Sequence, residues 1–201
     1  MKNTKETTKQ KIIEAAIKLI SANGFNATTT ALIAKEAGFS EAIIYKYYRD
    51  KQSLLREIAK KAIDRIIENI AIVPLLKNIE LSKEYPPKEF IKSILMERLE
   101  FVAKNIELIR ILLMEIQYNE DLFLLAQKTI FEEINIILEG ILETLSEKLG
   151  ITETKARAIA RLGIGLMGSI IIQKYFLMMD FKPGEMETEI NTALDIIFAN
   201  I

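Results

Sequence analysis

Cysteine and histidine are both missing from the 201 residues. Without cysteine there is neither a disulfide nor a thiolate metal site, which suits a reducing cytoplasm. Without histidine the commonest general acid–base and the commonest metal ligand are gone. Only four prolines interrupt the chain, so long helices meet few breaks. No run of about 18 apolar residues is free of charge, and no membrane-spanning helix is expected. The opening MKNTKETTKQ lacks the apolar stretch of a secretory signal. A cytoplasmic protein with no metal and no cofactor is the expectation.

Half of the residues are hydrophobic, enough for one sizeable core or for a small domain beside a larger one. The net charge of −1 conceals an asymmetry. Residues 1–55 hold nine Lys/Arg against five Asp/Glu, a balance of +4, and the other 146 hold 18 against 23, a balance of −5. A cationic head on an acidic body attracts a polyanion at one end.

Within that head, TTTALIAKEAGFSEAIIYKYYRDK, Thr28 to Lys51, reads as a helix, a tight turn and a second helix. Gly38 suits the residue just past a helix end, and Ser40 is placed to cap the next helix. Ile33, Ala37, Phe39, Ile44 and Tyr47 fall inward at helical spacing, and small Ala34 lets the two helices cross closely. This is a helix-turn-helix, whose second helix enters the DNA major groove. Upstream, Thr7 with Gln10 fits a capping box opening a helix with Ile12, Ile13, Ala16, Ile17 and Ile20 on its apolar face. Downstream, Asp50 caps a helix from Lys51 to Val73, ended by Pro74.

Ile13-Glu-Ala-Ala16, Gly24-Phe25-Asn-Ala-Thr28-Thr29, Ile33-Ala34, Ala37-Gly38-Phe39-Ser40, Ile44-Tyr45, Tyr47-Tyr48 and Lys51 together resemble the N-terminal domain of the TetR family of bacterial repressors. The resemblance covers roughly the first quarter of the chain. It departs at Glu41, where the family often has a basic residue, and at Tyr47-Tyr48, where many members carry His-Phe. It implies an all-α protein of about nine helices. A helix-turn-helix domain would span 1–50, with the TetR-type region reaching about 66, and a regulatory and dimerisation domain 51–201. It further implies a homodimer on a palindrome of double-stranded DNA, released by a small hydrophobic or amphipathic effector. Thr28, Thr29, Tyr45, Tyr47, Tyr48 and Lys51 are then candidates for the phosphate backbone, and Ser40, Glu41, Ala42, Ile43 and Lys46 for base edges. Lys46 would favour guanine, Glu41 would accept from cytosine N4, and Ala42 would touch a thymine methyl.

The remaining sequence alternates helical segments with breaks. After Tyr85-Pro86-Pro87, which closes a linker-like stretch from Lys77 to Lys88, Phe90, Ile94, Leu95, Leu99 and Val102 mark one helix. Ile106 to Ile116 marks another, broken at Gln117-Tyr118-Asn119. Asp121 to Leu149, Thr152 to about Met179 and Glu185 to Ala199 follow. Gly163-Ile-Gly165-Leu-Met-Gly168 spells GxGxxG, but dinucleotide chemistry needs those glycines in a turn after a strand, and here they lie inside a helical pattern. Close packing explains them better, and the TetR resemblance implies that Ala160, Gly163, Gly165, Gly168, Ser169, Ile190, Leu194 and Ile197 form the dimer interface. Phe90, Phe101, Met114, Gln117, Tyr118, Phe123, Met167, Gln173 and Tyr175 are the candidates for an effector pocket, mostly apolar with a few polar groups. No nucleophile motif frames the carboxylates, so no enzyme is expected. The alternative reading is a helical interaction protein that keeps the head as a structural domain.

Overall fold

The computed structural model describes residues 2–70, 84–128 and 132–199. Among them are nine helices and no strand: α1 (Lys2–Asn23), α2 (Thr30–Ala37), α3 (Glu41–Tyr47), α4 (Lys51–Ile70), α5 (Pro87–Glu115), α6 (Glu120–Ala126), α7 (Glu132–Leu149), α8 (Glu153–Ile171) and α9 (Glu185–Phe198). The expected end of α4 at Val73 and Pro74, and the linker up to residue 83, lie outside the described residues. The helix expected from Asp121 to Leu149 appears as α6 and α7, with 129–131 between them outside the described residues. Because α1 is already helical from Lys2, Thr7 is not its N-cap. Gln10 instead donates to Glu14 Oε1 at 2.8 Å and accepts from Lys61 at 2.9 Å.

The described residues form two compact units, one drawn from Met1–Ile67 with Asn105–Ile130, the other from Glu68–Lys104 with Phe131–Ile201. In the first, α1 buries Ile12, Ile13, Ala16 and Ile20 while Ile17 stays half-buried, and α4 buries Leu54, Leu55, Ile58 and Ala62. Two polar ties join α1 to α4, the Lys9–Glu57 ion pair at 2.7 Å and the Lys61–Gln10 bond. The first unit thus takes in most of α4 and the stretch Asn105–Ile130, beside the 1–50 head expected from the sequence. Asn105 itself has φ −120° and ψ 15° inside α5. The two helices expected around it therefore run on from one another through a break at that residue.

The second unit packs Phe90, Ile91, Ile94 and Leu95 of α5 against Leu142 and Leu145 of α7, Ala156, Ile159 and Ala160 of α8, and Ile190 and Leu194 of α9. Each fully buried side chain of this size contributes about 1.5–3 kcal/mol. Thr152 caps α8 by accepting from the Lys155 N–H. After Ile171 the helix widens into a π turn, Ile172–Phe176. The joined stretch Glu153–Phe176 is long and apolar enough, by length and composition alone, to cross a membrane. Part of that apolarity is a core face at Ala156, Ile159, Ala160, Gly163 and Ile170. Leu162, Ile164 and Ile172 are exposed apolar residues outside that core face.

Candidate nucleic-acid interface

The geometry of the head follows from its caps. α2 ends in a Schellman motif: Gly38 adopts φ 77°, its N–H bonds Lys35 C=O, and Phe39 N–H bonds Ala34 C=O at 2.8 Å. Only a residue without Cβ takes that φ at no steric cost, and the sharp reversal it allows lays α3 across α2. Ser40 holds the N-cap position of α3 with extended backbone angles and no side-chain capping bond. Its exposed hydroxyl faces no competing duty in the cap. Asp50 opens α4 in a reciprocal box, its carboxylate accepting from Ser53 N–H at 2.6 Å while Asp50 N–H donates to Ser53 Oγ. The Ser53 N–H holds the Asp50 carboxyl below its ordinary range.

α3 buries Ile44, half-buries Ile43 and Tyr47, and exposes Glu41, Ala42, Tyr45 and Lys46. Its exposed face, with Ser40 before it and Arg49 after it, contains five of the base and backbone candidates read from the sequence. Thr29 stands beside them as the N-cap of α2, accepting from Leu32 N–H at 3.2 Å.

Three candidates sit elsewhere. Thr28 is 1% exposed, and its hydroxyl donates to Gly24 C=O at 2.9 Å, with Leu19 C=O at 3.3 Å. It closes the turn after α1 and cannot present that hydroxyl to a phosphate. Tyr48 is 4% exposed, with the Lys9 ammonium 5.7 Å from its ring centre, so it belongs to the core of the head. Lys51 turns inward. Its ammonium donates to Phe25 C=O at 2.8 Å and Thr28 C=O at 3.0 Å, and lies 4.1 Å from the Phe25 ring centre. It satisfies carbonyls that the short turn leaves without helical partners.

The sequence reading missed Thr30. It is buried at the start of α2, its hydroxyl donates to Glu41 Oε1, and Tyr45 OH lies 3.3 Å from Thr30 Oγ1. No local pattern announces contacts across 11 and 15 residues; the third of three consecutive threonines was the available clue. The cationic balance of the head is also partly internal, because Lys9 pairs with Glu57, Lys18 with Glu36, and Lys51 with carbonyls.

The nine pocket candidates are divided between the two units. Phe90 is fully buried in the second unit, with Met167 packed against the same cluster, whereas Tyr118 is 87% exposed in the first. Phe101, Gln173 and Tyr175 are half-buried in the second unit, and Gln117 and Phe123 are exposed in the first. Met114 and Tyr118 share a half-open cleft of about 360 Å³ beside Gly24, Phe25, Gln52 and Glu115. The dimer candidates also divide. Ile190 and Leu194 are core, Ala160 and Gly163 are buried, and a Cβ on Gly163 would meet Leu95 at 3.7 Å. Ile197 is half-buried against that core. Gly165 and Gly168 have open space where a Cβ would stand, and Ser169 is exposed. Leu162, Ile172 and Ile196, which the sequence did not single out, are exposed.

Comparison with known proteins places this geometry. The family model described as "Bacterial regulatory proteins, tetR family" matches residues 12–58, from α1 into α4. The nucleoid occlusion factor SlmA of Glaesserella parasuis serovar 5 is 30% identical over 162 residues, 79% of this chain and 76% of that protein. The fatty acid metabolism regulator protein of Bacillus subtilis is 26% identical over 134 residues, 67% of this chain. The match spans 62% of that regulator's own length. Among solved structures, the transcriptional regulator FadR from Bacillus subtilis in complex with stearoyl-CoA superposes with a TM-score of 0.58 at 19% identity, over 96% of this chain and 98% of that one.

Proposed function

Because this chain belongs to the TetR family of bacterial regulatory proteins, we propose that it is a DNA-binding transcriptional repressor that acts as a homodimer and is released by an amphipathic, acyl-bearing effector. The observation that carries the DNA reading is α3, set by the Gly38 turn with its Ser40, Glu41, Ala42, Tyr45 and Lys46 face exposed. A helix so presented meets base edges in the major groove. Thr29, at the N-terminus of α2, is the backbone contact, where hydroxyl and helix dipole both favour a phosphate. The dimer reading is supported by the exposed apolar side chains Leu162 and Ile172 and the open space beside Gly165 along the stretch Glu153–Phe176. The effector reading is supported by the fatty acid metabolism regulator among the relatives and by the acyl-CoA bound to a protein of the same fold.

One titration tests all of it. Fluorescence anisotropy of labelled duplexes from around the gene, with the purified chain, should find a palindromic segment whose log affinity falls linearly with log salt, by about 0.9 per phosphate neutralised. Adding stearoyl-CoA to the complex should lower anisotropy to the free value. Absence of any salt-dependent retention at low ionic strength refutes the repressor and favours the interaction protein. Retention unaffected by saturating acyl-CoA refutes the effector alone.

A further inference from the structure

The contact between α2 and α3 contains a hydroxyl relay whose proton count limits what α3 can recognise. Thr30 is 9% exposed, and its Oγ1 donates to Glu41 Oε1. The Tyr45 hydroxyl lies 3.3 Å from that same Oγ1. A threonine hydroxyl has one proton and two lone pairs, whereas a carboxylate has lone pairs only. With the Thr30 proton given to Glu41, Tyr45 can join the relay only as donor. The order is therefore Tyr45 O–H to Thr30 Oγ1, then Thr30 O–H to Glu41 Oε1. That leaves a lone pair on the oxygen of exposed Tyr45 and the second carboxylate oxygen of exposed Glu41. The two residues are four apart, so they share one face of α3.

We infer that Thr30 is a specificity-determining residue, holding Glu41 and Tyr45 as a pair of hydrogen-bond acceptors that reads the exocyclic amino groups of adenine or cytosine. This rests on the DNA-binding reading above. In the major groove the only donors are adenine N6 and cytosine N4, while guanine and thymine present acceptors there. A phosphate oxygen is also an acceptor, so Tyr45 in this relay reads bases and does not grip the backbone, contrary to the expectation from sequence. Four residues of helix advance about 6 Å, close to two base steps of about 3.4 Å. Each half-site should therefore carry amino bases at two nearby positions along one strand.

The experiment is selection of bound duplexes from a randomised library by the full-length chain, followed by affinity measurement on the selected site. The wild type should enrich adenine or cytosine over guanine and thymine at those positions. Replacing a selected adenine by purine, or a selected cytosine by 2-pyrimidinone, removes only the amino group and should weaken binding about ten-fold. Thr30→Val keeps the branched shape and removes the relay. Its preference for amino bases should fall to within about two-fold, while its binding to unrelated duplex stays equal or rises, since the Tyr45 proton is released for phosphate. Glu41→Gln, at an exposed position that tests recognition even if Thr30→Val folds poorly, substitutes a donor for an acceptor and should move the preference towards guanine or thymine. An enriched motif with keto bases at these positions, or a Glu41→Gln profile identical to wild type, overturns the inference and leaves the DNA-binding protein in place. If Thr30→Val folds and keeps the wild-type profile, the relay is not what sets specificity. A wild type that enriches no duplex overturns the DNA-binding reading and this inference with it.

Discussion

Three consecutive threonines have three different fates: Thr28 closes a turn, Thr29 caps α2, and Thr30 joins α2 to α3. Their residue types were legible, but their directions were not, because direction depends on the tertiary neighbour that each hydroxyl meets. Lys51 shows the same limit, since a lysine at a helix start reads as a phosphate contact until its carbonyl partners are seen. Its two bonds to Phe25 and Thr28 carbonyls are charge-assisted, a class that contributes about 1.5–3 kcal/mol each. Lys51→Met should lower the thermal midpoint of the DNA-free protein by several degrees in circular dichroism. An unchanged midpoint with weakened DNA binding would return this ammonium to the phosphate backbone. Beside it, burial pushes the Glu115 carboxyl above its ordinary value, opposed by the Lys51 charge and a backbone hydrogen bond from Phe25. A carboxyl raised in the native state holds its proton more tightly there than in the unfolded chain. Its ionised form therefore opposes folding above the native pKa, and stability is regained as pH falls through that value. Glu115→Gln should raise the midpoint near neutral pH and remove the gain on acidification. A shift of the same size at both ends of that range would contradict the burial effect.

At the scale of elements, most helices were legible because their apolar residues recur at the helical period and their ends carry recognisable chemistry. Gly38, Asp50 and Thr152 each stand at an end that the structure confirms. The misplaced start of α1 has the opposite cause. A capping pair, Thr7 with Gln10, is satisfied equally well inside a helix, where Gln10 pairs with Glu14 and Lys61 instead. The residues proposed for an effector pocket were the least legible, because methionine and aromatic stripes describe a core and a cavity in the same letters. Gly38 offers a direct test of why α3 stands where it does. Open space surrounds its Cβ position, so a substitution there meets no clash and is opposed only by the left-handed backbone. Gly38→Ala should cost about 1–2 kcal/mol, and Gly38→Asn distinctly less, because asparagine tolerates that region. Chemical denaturation would order the three as glycine, asparagine, alanine. Equal stability of the alanine and asparagine variants would show that the turn relaxes out of its left-handed conformation.

For the whole molecule, the decisive quantity is how much recognition one head can supply. α3 is seven residues long, and a single small module of this kind buries only about 600–1,000 Å² on DNA. Two copies related by a two-fold axis solve the problem, provided that the protomers hold together elsewhere. The glycines of α8 face two ways in this respect. Gly163 looks into its own protomer's core at Leu95, whereas a Cβ on Gly165 would meet no described residue within 4 Å beyond the adjoining turns of its own helix. Leu162 and Ile172 are exposed apolar residues on the same helical stretch. Gly165→Leu therefore adds a side chain that the isolated protomer can accommodate and that only a second backbone packed against α8 would feel. Light scattering should show the wild type as a dimer and Gly165→Leu as a monomer, with the same helical content and melting of the protomer's core. Affinity for a palindrome should then fall by about 100-fold or more, the loss of a linked second site, while the weak affinity for a half-site stays unchanged. A variant that remains dimeric with full palindrome affinity would move the interface off this face of α8. A variant that unfolds would mean that Gly165 is packed inside its own chain, against the open space seen beside it.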